Sequence, residues 1–99
     1  MDEQNMRLPY TREEILTAAK NIVTGHRTDE YGQPEDSFSK VAKYWSVYLD
    51  REITSLDVAN MMMLLKMARM TYGGGSIDNY VDIAGYAACG GEIFFSLGK

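Results

Sequence analysis

Ninety-nine residues make one domain, too few for two ordinary cores. Apolar residues at 45% and charged residues at 24% exclude a wholly disordered chain, and no apolar run approaches the ~20 residues that span a bilayer. A net charge of −4 excludes a general nucleic-acid binder, which needs a basic face, but leaves room for a small phosphorylated ligand held by a few local cations.

Residues 1–10 read as an arm, and residues 11–99 as a single helical domain. The arm opens acidic, with no basic-then-apolar stretch, so no signal peptide is expected. The lone cysteine, Cys89, excludes an internal disulfide and a Cys-based zinc cage. Thr11 with Glu14 forms a capping-box pattern, and Ile15, Leu16, Ala18, Ala19, Ile22 and Val23 follow at helical spacing up to Gly25. The polar stretch from Gly25 to Pro34 is a loop. Pro34 suits the first turn of a second helix, whose positive end Glu35 and Asp36 favour. Phe38, Val41, Ala42, Trp45, Tyr48 and Leu49 then make one apolar face, with Trp45 and Tyr48 expected in the core.

After a break at 50–52, Thr54 and Asp57 repeat the cap pattern and open a third helix running to about Tyr72. From Val58 to Met70 it is apolar almost all round, with Lys66 and Arg69 its charges. A domain this small cannot cover such a helix alone, so an obligate oligomer, at least a dimer, is expected, with this helix in the interface. Gly73-Gly-Gly-Ser76 is a turn. Asp78 can cap a fourth helix over 78–97, whose middle holds Gly85, Gly90 and Gly91; three glycines in a helix imply close approach to another helix. No strand pattern occurs. The expected fold is a compact all-α bundle of about four helices.

Two places can hold chemistry. Lys66 and Arg69 share a helix face, and Asp78 and Asp82 begin the next helix across a short turn. In an antiparallel hairpin the pairs either brace each other or line a polar pocket in which the cations meet phosphates and the acids meet ribose hydroxyls or a divalent metal. The loop supplies Arg27, a cation, and Tyr31, an aromatic plate for a base, with His26 as a titratable ring; Tyr80 is a second plate. Cys89 reads as a small core residue. The sequence contains no P-loop, no dinucleotide fingerprint and no H-E-x-x-H or G-x-S-x-G motif.

The ordered set Gly25-x-Arg27-x-x-x-Tyr31-Gly32-x-Pro34, Trp45-Ser46-x-Tyr48-Leu49, Ile53-Thr54-x-x-Asp57-Val58-Ala59, Lys66-x-Ala68-Arg69 and Asp78-Asn79-x-x-Asp82-x-x-Gly85-Tyr86-Ala87 resembles a family of short phage and prophage proteins over residues 13–93. That resemblance implies the cytoplasm of a bacterial host. More remotely, the Lys-x-x-Arg and Asp-x-x-x-Asp arrangement is similar to all-α nucleoside triphosphate pyrophosphohydrolases of the MazG type. Those enzymes bind magnesium through two paired-acid helices. Asp78 and Asp82 match the second pair at altered spacing, and the first pair has no counterpart.

Three functions follow as expectations. The first is a phage-type binding protein that holds a nucleotide-derived molecule, such as a cyclic-nucleotide or ADP-ribose-type immune signal, without turning it over. Arg27, Lys66 and Arg69 would take its phosphates, Tyr31 or Tyr80 its base, and Asp78 and Asp82 its ribose, with no catalytic residue and no cofactor. The second is a magnesium-dependent nucleotide pyrophosphohydrolase with the metal on Asp57, Asp78 and Asp82. The third is a structural or protein-interaction module docking through the Met-rich helix.

Overall fold

The structure is a computed structural model that describes residues 11–25, 33–71 and 76–97. These form four helices, α1 (Arg12–Thr24), α2 (Pro34–Leu49), α3 (Ser55–Met70) and α4 (Ile77–Leu97), with no strand among the described residues. The all-α expectation is therefore met.

Local chemistry sets the helix ends. At α1 the Thr11 hydroxyl accepts from the Glu14 amide at 3.1 Å, and the Glu14 carboxylate accepts from the Thr11 amide at 3.1 Å. At α3 the Thr54 hydroxyl accepts from the Asp57 amide at 3.0 Å, and Asp57 Oδ2 accepts from the Thr54 amide at 2.9 Å. Pro34 opens α2, and Asp50 closes it in the left-handed region, at φ 53°. The α2–α3 turn is tied by Ser46, whose hydroxyl accepts from the Ile53 amide at 2.8 Å and donates to the Ile53 carbonyl at 3.2 Å. The third helix ends at Met70, slightly earlier than the sequence suggests. The fourth begins at Ile77, so Asp78 lies within its first turn instead of capping it, where its charge still suits the positive end.

Packing centres on the α3–α4 hairpin. Its antiparallel sense is fixed by two points: Ala59 lies against Gly90, and Lys66 bonds Asp82, so the chain runs forward on α3 as it runs back on α4. A Cβ added at Gly90 would stand 3.2 Å from Ala59 Cβ, and one at Gly85 3.1 Å from Val23 Cγ1. These two glycines let α3 and α1 approach α4 closely. α2 packs on α3 and touches α4 lightly, with the Phe38 and Tyr86 rings 6.0 Å apart.

The buried apolar set is Ala19, Ala42, Val58, Ala59, Val81, Cys89 and Ile93, mostly small side chains. Cys89 is in the core, as expected. Tyr48 is not: it is 88% exposed, and Leu49 is half exposed. At 100° per residue, Tyr48 lies about 80° around α2 from Phe38, beyond the edge of the face that α3 covers, and Leu49 is in the last turn. Trp45 is partly buried. On α3, Val58 and Ala59 are buried while Met61, Leu64, Leu65 and Met67 are exposed, so one chain covers only part of this helix.

Candidate functional site

Three helices meet α4 within a little more than one turn. Lys66, near the end of α3, bonds Asp82; Val23, near the end of α1, packs at Gly85; Phe38, early in α2, packs at Tyr86. The chain ends that flank residues 26–32 and 72–75 are thus gathered at one end of the bundle.

The Lys66 Nζ–Asp82 Oδ2 distance is 3.0 Å, and the two side chains are 15% and 25% exposed. Burial removes most of the competing water, so the contact is stronger than a surface ion pair. One of the two anticipated braces therefore exists. The second does not: Arg69 and Asp78 are both exposed, and no ion pair among the described residues joins them. Three positions after Lys66, Arg69 is turned about 60° around the helix from it, toward solvent. Tyr80 is exposed, so its ring is available to a flat partner. Arg27 and Tyr31, together with His26, lie outside the described residues.

Asp57 stands apart from this end. It caps α3 nine residues before Lys66, about 13 Å along the axis at 1.5 Å per residue. It does not converge with Asp78 and Asp82 on one ion. Among the described residues no group of three or more His, Cys, Asp or Glu side chains is placed to hold a metal.

Two features escaped the sequence reading. Asn79 is the buried polar side chain at the start of α4, between the exposed Asp78 and Tyr80. A polar residue in a first turn reads as solvent-facing unless the neighbouring helix is known. On the outer face of α2, Asp36, Ser39, Lys40, Lys43 and Tyr44 line an open depression of about 360 Å³. All five come from one helix, so nothing encloses it, and an ordinary polar helix face gives no sign of it. No helix among the described residues is long and apolar enough to cross a membrane.

The fold and this end define a small helical domain in which a hairpin, braced by the Lys66–Asp82 ion pair, presents further charges to solvent. Comparison gives the family: the domain of unknown function DUF6378 matches residues 14–94, and the chain belongs to it. It is 42% identical over 82 residues to the Gene 55 protein of Mycobacterium phage D29, covering 83% of this chain and 54% of that protein. With the Gene 55 protein of Mycobacterium phage L5 it shares 45% identity over 74 residues, covering 74% and 47% respectively. The chain thus spans about half the length of these curated relatives. No solved structure matches it significantly. The resemblance to a phage protein family is confirmed.

Proposed function

We propose that this protein holds a nucleotide-derived small molecule at the gathered end of the bundle and does not cleave it, a sequestering role against a nucleotide immune signal of the host. The observation that carries the reading is the convergence of α1, α2 and α3 on residues 82–86 of α4. It brings the ends of the segment bearing Arg27 and Tyr31 toward the level of Lys66 and Asp82. Lys66 has three donors and one carboxylate contact, so it can still donate to a phosphate beside Asp82. Arg69 adds a cation with no ion pair among the described residues. Asp78 can accept from ribose hydroxyls, and Tyr31 or Tyr80 can stack on a base. The position of Asp57 at the α3 cap weighs against a three-aspartate magnesium site and so against the pyrophosphohydrolase. The working unit is a homo-oligomer, a reading supported by the apolar side chains that α3 turns outward.

The test is a thermal-shift series with ADP-ribose, its cyclic relatives and cyclic dinucleotides, with and without Mg²⁺, followed by heat release and mass analysis of what was bound. A ligand at 100 times its Kd adds about 2.7 kcal/mol to stability, easily visible in a domain this small. The expected result is a melting shift independent of Mg²⁺, an unaltered ligand on release, and loss of the shift in Arg69→Ala and Arg27→Ala. No binding tighter than millimolar, or recovery of a hydrolysed product, refutes the proposal.

A further inference from the structure

The outward side of the α3–α4 hairpin differs from the rest of the molecule. On α4, Gly85 turns to α1, Tyr86 to α2 and Gly90 to α3. The arc centred on Ala87 and Gly91 faces away from those contacts. It carries Tyr80, Ala84, Ala87, Ala88, Gly91, Phe94 and Phe95, with no charged side chain, and all but half-buried Ala84 are exposed. The adjoining arc of α3 shows Met67. Gly91 is unlike the other helix glycines, because a Cβ added there meets nothing within 4 Å. Glycine is the poorest helix former after proline, and no packing contact among the described residues calls for it at that position.

We propose that this arc is a self-complementary seam on which a second copy of the chain docks, α4 against α4, antiparallel about a twofold axis between Ala87 and Ala88. The proposal rests on the oligomeric reading above and assigns its geometry. Tyr80, Ala84, Ala87, Gly91 and Phe94 follow at alternating intervals of four and three, the heptad spacing that keeps one stripe facing a partner helix. The arc, though not the heptad stripe by itself, holds three pairs related by a centre between Ala87 and Ala88. Antiparallel pairing sets Ala87 against Ala88, Ala84 against Gly91 and Tyr80 against Phe95 of the other copy, and the reverse by symmetry, as an isologous interface requires. Small residues at the centre let the two axes approach toward the near end of the ~8–10 Å range, and Gly91 acquires a reason. The aromatic ends close over the crossing.

The area suits a second copy. Tyr80, Phe94, Phe95 and Met67 are each 49–67% exposed. At about 200 Å² per large side chain these exposures amount to roughly 470 Å². The small residues between them raise this toward the ~800 Å² that each partner gives a standard interface. An arc without charge has nothing to select a charged partner, and its symmetry matches itself.

The experiment measures the oligomeric state of the full chain by sedimentation and light scattering at micromolar concentration. Variants are Ala87→Glu and Gly91→Leu on the seam and Val47→Glu on the outer face of α2, with circular dichroism to check folding. The expected result is a dimer, or a multiple of it, for the wild type and Val47→Glu, and association weakened roughly hundredfold or more, toward monomer, in both seam variants. Should a seam variant misfold, oxidation of Ala87→Cys is read instead, with rapid formation of a disulfide-linked dimer expected and none for Val47→Cys. A monomeric wild type overturns the seam and the oligomeric reading together. An oligomer that ignores the seam substitutions and gives no Ala87→Cys cross-link overturns the seam alone.

Discussion

Replacing Lys66 or Asp82 removes the ion pair that joins α3 to α4, and its cost can be bounded. The atoms are 3.0 Å apart, and the side chains retain 15% and 25% of their exposure. Exposed pairs contribute about 0–1 kcal/mol, whereas losing one partner of a fully buried pair costs about 3–5 kcal/mol. A pair mostly out of water falls between, at about 2 kcal/mol for Lys66→Met or Asp82→Leu alone, because each strands a half-buried charge. A domain this size loses about 4–8 °C of melting temperature per kcal/mol, so each single variant should melt roughly 8–16 °C lower. The double variant removes both charges and leaves apolar groups in contact, a change that is often close to neutral. The cycle should therefore be strongly non-additive, with most of the loss recovered. Urea unfolding of all four proteins at one fixed concentration measures this. Two single losses that simply add in the double variant would show that the pair does not brace the hairpin.

Two further outcomes test the local structure. Asp50→Gly relieves a left-handed residue, at φ 53°, and should raise stability by about 0.5–1 kcal/mol, read as a higher urea midpoint at unchanged slope; a lower midpoint would mean that the Asp50 side chain supports the turn. Ser46→Ala deletes both bonds to Ile53 and should cost about 1–2 kcal/mol, with the loss seen as faster amide exchange at Ile53; unchanged exchange there would show that the hydroxyl does not hold the α2–α3 turn.

What the sequence discloses follows from how local each cause is. The caps at Thr11 and Thr54 are legible because both halves of each box lie within four residues. Four helices and the absence of strands among the described residues follow from spacing for the same reason. Tyr48 is misread because the width of a buried face depends on the neighbouring helix, which the spacing does not contain. The same limit divides the glycines. Three of them in one helix announce close approach, but only the structure assigns Gly85 to α1 and Gly90 to α3 and leaves Gly91 open. At the candidate site, the pairing of Lys66 with Asp82 was one of two readings that residue types allow. Which acid meets which cation depends on the register of the hairpin, set by Ala59 against Gly90 far from either charge.

Tyr80 links the two proposals. It lies on the outward arc of α4 yet only two residues before Asp82, at the end where the charges gather. In an antiparallel α4 pair, Tyr80 packs on Phe95 of the second copy, and its ring is then engaged along one face. In the proposed binding reading, stacking on a base would then fall to Tyr31 or to the other face of Tyr80, which the aromatic contact would hold in place. If both proposals hold, assembly would stiffen one wall of the ligand end before any ligand arrives, and a ligand that touches Tyr80 would stabilise the pair in return. Binding and association are then linked, so apparent affinity rises with protein concentration over the range in which dimers form. A site served by Lys66 and Arg69 without Tyr80 would carry no such dependence, because neither residue lies on the proposed seam.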